Sequence, residues 1–223
     1  MDKQLIKQAF GKFFAGVLLV GLLLFLPAGT LRWQSGWLLC AVLFVPMFFG
    51  GLVMMKKAPD LLRKRLDAKE KLGAQKAVIG LSGLMFLAGF LLAGFDRRFG
   101  WTTVPGWLAL LSAALFLLGY ALFAEVLREN AWLSRTVEVQ QGQQVVDTGM
   151  YGLVRHPMYT ATLLMFLSMP LILGSWVSFV VFLAYPPIIV KRLKGEEILL
   201  KEELFGYETY CEKVKYRLIP YIY

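Results

Sequence analysis

Charge is scarce in this sequence. Asp, Glu, Lys and Arg make up 17% of its 223 residues, where a soluble domain carries about 25%. Hydrophobic residues reach 58% and gather into long runs, which excludes an ordinary soluble domain and makes the chain an integral membrane protein. Histidine is scarcer still, with His156 the only one. The two cysteines, Cys40 inside an apolar run and Cys211 in a basic tail, form no metal or redox pattern and read as unpaired. There is no G-x-G-x-x-G after a strand, no P-loop, no H-E-x-x-H and no cysteine cluster. Internal repeats and low-complexity tracts are absent. The longest polar segments reach about 30 residues, too short for a dinucleotide-binding α/β domain. A cofactor site therefore has to be assembled from several short pieces. The first apolar run lacks a convincing small-residue cleavage site, so it is expected to stay as a helix.

What is present is basic and unevenly placed. The net charge is +9, but the clustering of Lys and Arg favours topology over nucleic acid as its explanation, and no nucleic-acid partner is expected. Apolar runs cover Phe13 to Leu26, 36–55, Ala77 to Phe95 and about 106–127, near the roughly 20 residues a bilayer crossing needs. A fifth run, 157–190, is too long for one crossing and is broken near Pro170 and Gly174-Ser175. Its halves of about 17 residues each just cross at 1.5 Å per residue, which predicts a tight helical hairpin. The fold expected is all-α, with five to six transmembrane helices and an amphipathic tail. It forms a single membrane domain over 1–223, divided into N-terminal helices (1–127) and a cofactor- and substrate-binding region (128–223). If the hairpin returns, the N-terminus, loop 56–76, loop 128–156 and the tail share one side with nearly all the Lys and Arg. The positive-inside rule makes that side, with both termini, cytoplasmic. The basic loop 56–76 reads as a topology determinant with some attraction to anionic lipid.

The stretch Gly149 to Tyr159 sits where the polar loop 128–156 meets the apolar hairpin. Pro157 suits the first position of a helix, and His156 before it is pushed toward an extended conformation. Arg155, an imidazole and a turn of free backbone N–H groups then meet at a helix N-terminus, which favours a carboxylate or phosphate. The competing reading makes Arg155 a membrane-flank anchor and His156 an incidental cap. At the far end of the hairpin, Arg192 and Glu196 lie one helical turn apart on one face. They read either as an i,i+4 ion pair beside snorkelling side chains or as part of a site, since a carboxylate at membrane depth usually has a task. Residues 202–223 read as a short amphipathic helix with a Pro-terminated end, an interfacial segment.

The order Gly149-x-Tyr151-x-x-Val154-Arg155-His156-Pro157-x-Tyr159, an apolar hairpin, Arg192-x-x-x-Glu196-Glu197, Phe205-Gly206-x-x-x-x-Tyr210 and Arg217-x-x-Pro220 resembles the isoprenylcysteine carboxyl methyltransferase family. The wider group includes phospholipid N-methyltransferases. The resemblance covers about residues 125–223. It implies S-adenosyl-L-methionine as cofactor, bound within the last helices and the C-terminal segment. By resemblance, Gln143, Gln144, Val145, Val146, Tyr151, His156, Pro157, Met158 and Tyr159 line the cofactor, with Arg155 near its carboxylate and Glu196 near its amino group. Arg192 faces the methyl acceptor, so Arg192 and Glu196 form the catalytic pair. The segment between Glu197 and Gly206 is one residue longer than the family pattern, which leaves Glu196 and Glu197 as alternatives for the cofactor contact. The chain has fewer helices than the eukaryotic enzymes, and this short form implies a prokaryotic inner membrane.

The activity implied is methyl transfer to a lipophilic, membrane-embedded acceptor such as the carboxylate of an isoprenylcysteine-like molecule. A carboxylate is already nucleophilic, and Arg192 would orient it by a bidentate contact. An amine acceptor would need a base, for which His156 or Glu197 are the candidates. The alternatives are a phospholipid N-methyltransferase, a sterol-reductase-like NADPH-dependent membrane reductase, and a non-catalytic scaffold whose charges serve topology alone. The expected partners are a lipophilic or lipid substrate and the surrounding membrane lipids.

Overall fold

The computed structural model describes residues 3–66, 73–134 and 136–223. Asp67, Lys69, Glu70 and Lys71 of the basic loop lie outside the described residues. The regular structure is helical throughout the described residues. The first four apolar runs become α1 (Lys3–Ala28), α2 (Gln34–Lys57), α4 (Gly73–Phe99) and α5 (Gly106–Glu129), with a short helix α3 (Pro59–Leu66) inside the basic loop. The hairpin is α6 (Pro157–Leu173), α7 (Trp176–Phe182) and α8 (Tyr185–Glu203), followed by α9 (Tyr207–Lys213). Among the described residues, five segments are long and apolar enough to cross a membrane: α1, α2, Gln75–Phe99, α5, and α7 with α8 as Trp176–Glu203. At 17 residues α6 is the shorter partner of the hairpin.

The N-terminal helices expose Leu18, Leu19, Leu22 and Leu26 of α1 and Phe49 and Val53 of α2. In water this surface would exceed the few hundred Å² a soluble monomer tolerates, whereas in a bilayer it is the ordinary face of a spanning helix. Helix contacts inside the bundle rest on close packing instead. Helices α5 and α6 pack closely at Gly119, where an added Cβ would stand 2.5 Å from Met165 Cγ and 3.1 Å from the Ala161 carbonyl oxygen. Phe182 of α7 fills the space left by Gly89 of α4, and its ring meets Phe86 edge-on at 5.3 Å.

The hairpin turns at Gly174, whose φ of 85° is left-handed and whose N–H caps the Leu171 and Pro170 carbonyls. Ser175 then caps α7 by accepting from Ser178 N–H. The turn between the arms falls at Gly174-Ser175, with Pro170 still inside α6, and a smaller interruption at Leu183-Ala184 separates α7 from α8. The second arm runs past residue 190 to Glu203, because Lys191 to Glu203 are mostly good helix formers and nothing before Leu204 ends the helix. Pro186 and Pro187 fall in the first turn of α8, where an N–H would have no intrahelical partner.

Two ends result. At one, the buried Asp96 carboxylate accepts from Thr102 N–H and Oγ1 and from Ser175 Oγ, tying the α4–α5 loop to the hairpin tip. At the other, the Lys12 ammonium donates to the Leu66 carbonyl and Arg65 reaches the Ser134 carbonyl at 3.4 Å. There Arg155 N–H also donates to the Tyr216 carbonyl at 2.9 Å. The start of α1, α3, the 130–156 loop and the tail thus gather at the same end.

The Gly119 contact supplies a direct test of this packing. Gly119→Leu is expected to cost about 1–3 kcal/mol through overpacking, seen as a lower melting temperature of the purified protein in detergent. Gly83→Leu, on a face with nothing within 4 Å of an added Cβ, should leave it unchanged.

Candidate functional site

The loop before α6 is built against the end of α5. Gly149 has φ 52°, and an added Cβ there would overlap the Glu129 carboxylate, which accepts from Thr148 Oγ1 at 2.8 Å. A single 3₁₀ turn, Gly149–Gly152, then buries Tyr151. The Tyr151 hydroxyl accepts from Asn130 Nδ2 at 2.9 Å, and its carbonyl accepts from the Tyr210 hydroxyl at 2.8 Å. Burial pushes the Tyr151, Tyr207 and Tyr210 phenols above their ordinary range.

His156 takes the extended N-cap position that its following proline favours, with φ −126°. Its N–H donates to the Arg217 carbonyl at 2.9 Å, beside the Arg155–Tyr216 bond, so the chain entering α6 is zipped to the tail. The first turn of α6 holds fewer free donors than the sequence leads one to expect. Pro157 has none, and the N–H groups of Tyr159 and Thr160 both turn back to the His156 carbonyl.

Behind this junction lies a buried ion cluster centred on Glu197. Its Oε1 accepts from Arg155 Nε at 2.7 Å and stands 3.3 Å from His156 Nε2, while Oε2 accepts from Arg217 Nε at 2.8 Å. Arg155 Nη1 also donates to the carbonyls of Val214 and Lys215, at 2.8 and 3.1 Å. Arg155 and Glu197 are respectively 8% and 4% exposed, and a carboxylate so buried has to be paired and fully hydrogen-bonded.

In front of the junction is a cleft enclosing about 860 Å³ of empty space, its open mouth included. Gln143, Gln144, Val145, Val146, Tyr151, Arg155, His156, Pro157, Met158, Tyr159, Arg192 and Glu196 all line it. Glu197 does not, since its carboxylate is taken up by the ion cluster. Arg192 and Glu196 are joined through a third residue: Arg192 Nε donates to the Tyr159 hydroxyl at 3.0 Å, and that hydroxyl donates to Glu196 Oε2 at 2.6 Å. The structure thus sorts the two adjacent acids, one into the cleft and one behind it.

Sequence reasoning passed over Asn130, Trp132, Glu138 and Tyr207, which also form the cleft wall, as does Tyr210, named above only as a motif residue. Tyr207 stands out because its buried hydroxyl has no hydrogen-bond partner among the described residues. A buried phenol left unpaired costs about 1–3 kcal/mol, a cost a polar ligand in the cleft would remove. The available signal was position: Tyr207 directly follows the Phe205-Gly206 pair, and the left-handed Gly206 turns the chain back toward the cleft.

Removing the hub of the cluster should expose this architecture. Glu197→Ala leaves buried cations without their anion and is expected to destabilise by about 3–5 kcal/mol. Melting in detergent measures that loss, and limited proteolysis should show residues 204–223 released before the helical core is cut.

Parts of the sequence are similar to known proteins. A Delta(14)-sterol reductase from Mus musculus is 33% identical over 91 residues, 40% of this chain. The chain spans about a fifth of that relative's length, 22%. Residues 107–206 of this chain match the phospholipid methyltransferase family. That segment runs from the start of α5 through the cleft to the turn before α9, a likeness to the wider phospholipid/isoprenylcysteine methyltransferase group.

Proposed function

We propose that this protein uses S-adenosyl-L-methionine to methylate a lipophilic acceptor held in the membrane, at a carboxylate like that of an isoprenylcysteine. The observation that carries this reading is the Arg192–Tyr159–Glu196 chain, which brings a cation and an anion into one cleft within the family-matched segment. The cleft suits the cofactor. It combines an acidic side chain, amide groups and an unpartnered phenol with apolar walls at Val145, Val146 and Leu204. Glu196 would hold the cofactor's amino group, and Tyr207 offers a hydroxyl to another of its polar atoms. When bound, the cofactor supplies an electrophilic methyl group on a sulfonium.

The chain's own residues then have to place the acceptor and keep the site dry. Arg192 presents a planar guanidinium suited to a carboxylate. The two candidate bases for an amine acceptor, His156 and Glu197, already face one another in the buried cluster. That supports a carboxylate, which needs no base, over an amine. We further propose residues 128–223 as the cofactor region. We also propose that the end carrying Lys3, Lys7, Lys12, Lys56, Lys57, Arg63 and Lys64 faces the cytoplasm of a prokaryotic cell, opposite Arg32, Arg97 and Arg98.

The sterol-reductase relative supports a second reading, a nicotinamide-dependent membrane reductase. Titration of the purified protein separates the two. Saturable binding of S-adenosylhomocysteine is expected, and binding of NADPH in its place would sink the methyltransferase reading. Glu196→Gln should weaken cofactor binding by about 1.5–3 kcal/mol through loss of a charge-assisted contact. Arg192→Ala should leave cofactor affinity nearly intact and abolish turnover, because only acceptor placement is lost. Equal loss of cofactor in both variants would show that the division of labour is wrong.

A further inference from the structure

A second polar cavity lies at the opposite end of the bundle, beside the hairpin tip. It holds about 1270 Å³ of empty space, its open mouth included, between the α1–α2 turn, the α4–α5 loop and Gly174. Helix α2 starts at this cavity and runs 24 residues to the basic end. At 1.5 Å per residue that is about 36 Å, the depth of a bilayer. Trp37 Nε1 donates to the Leu31 carbonyl at 2.8 Å and Trp176 Nε1 to the Thr103 carbonyl at 3.2 Å. Such indoles place the rim in the headgroup layer. Arg32 and Arg97 both line the cavity, and neither guanidinium has a hydrogen-bond acceptor or ion-pair partner among the described residues. Arg98 adds a third cation nearby, packed against Gly29 and over the Phe99 ring. Among the described residues the wall holds one acid, Asp96, and it is engaged: its oxygens accept from Thr102 N–H, Thr102 Oγ1 and Ser175 Oγ.

We infer that this cavity binds the phosphate of an anionic phospholipid headgroup, in the leaflet away from the cleft, with Arg32 and Arg97 as its ligands. Two unpaired guanidinium groups around one polar space create a positive field, and their planar donors match phosphate oxygens. Gln34 and Ser35, in the first turn of α2, also line the space, where the helix dipole adds to that field. Position identifies the carrier, since phosphate in the headgroup layer belongs to lipid. The engaged state of Asp96 sets the charge. A zwitterionic headgroup brings an ammonium that no free carboxylate in the wall can receive, whereas a net-negative headgroup needs none. A bilayer's depth separates this lipid from the Arg192–Tyr159–Glu196 chain, so it is no methyl acceptor. It instead ties the α1–α2 turn to the end of α4, and a ligand that binds only the folded protein stabilises it.

The test uses the full chain in detergent, with affinity for the first bound lipid read by native mass spectrometry. The probes are phosphatidylglycerol and phosphatidylcholine of matched chains. Phosphatidylglycerol is expected to bind about tenfold tighter, the difference one charge-assisted contact makes, and to raise the melting temperature. The double variant Arg32→Gln/Arg97→Gln should lose both effects. Its lipid-free melting temperature should stay unchanged, because both side chains are exposed and unpartnered. Lys56→Gln/Lys57→Gln, at the basic end, should keep the preference and so separates the cavity from the charge of that end. Equal affinity for the two lipids would overturn the inference. So would a preference that survives Arg32→Gln/Arg97→Gln or disappears in Lys56→Gln/Lys57→Gln, or a lower lipid-free melting temperature in the arginine variant. Displacement of the lipid by millimolar inorganic phosphate would overturn the lipid as the source of the phosphate.

Discussion

A single buried carboxylate holds the working end of this molecule together. Glu197 receives Arg155 and His156 from the entrance to α6 and Arg217 from the tail, so three distant stretches of chain converge on two oxygen atoms. Surface ion pairs contribute little, but here the acid is buried and loss of a partner would leave an uncompensated charge. The cluster is thus a strong constraint on geometry even where its net contribution to stability is modest. It also dictates what its neighbour does. Successive residues on a helix point about 100° apart, so fixing Glu197 inward turns Glu196 into the cleft. The repeated acid, ambiguous in the sequence, becomes one structural hub and one cleft-facing group.

The helices were legible because bilayer-length apolar runs leave few alternatives, and the hairpin turn because Gly174-Ser175 supplies a left-handed cap followed by an N-cap. Two features went unread. Helix α8 continues well beyond its apolar part, since hydropathy marks where lipid ends and helix propensity decides where the helix ends. Helix α3 was hidden in a loop whose charge suggested topology alone, although Leu61 and Leu62 supply it with a buried face. At the site, Tyr151, Arg155 to Pro157, Tyr159, Arg192, Glu196 and Tyr210 of the ordered motifs line one cleft, while Glu197 and Arg217 turn into the ion cluster. Tyr207 and Asn130 escaped notice because they belong to no such motif. Their roles depend on which segments meet across long sequence separations, and no local pattern encodes that.

The match to the phospholipid methyltransferase family covers the helical hairpin and the polar loop at its mouth. A scaffold alone does not decide an activity; individual side chains do. In this chain the relevant feature is the Tyr159 bridge. Its hydroxyl can donate only one proton, which goes to Glu196, and it accepts from Arg192. The bridge therefore keeps a cation and an anion close and oriented within one cleft.

The same end of the bundle would also have to serve two solvents under the proposed reading. A polar cofactor would arrive from water and a lipophilic acceptor from lipid, and a water-filled route between them would weaken every electrostatic contact in the cleft. Helix α3 packs against this end, with Lys64 over Trp132 of the cleft wall and Arg65 over Phe123 of α5. Both cations rest on aromatic faces, which keeps their charge beside low-dielectric walls where it acts most strongly. A basic segment that first reads as a topology signal thus also packs against the helices that carry the cleft.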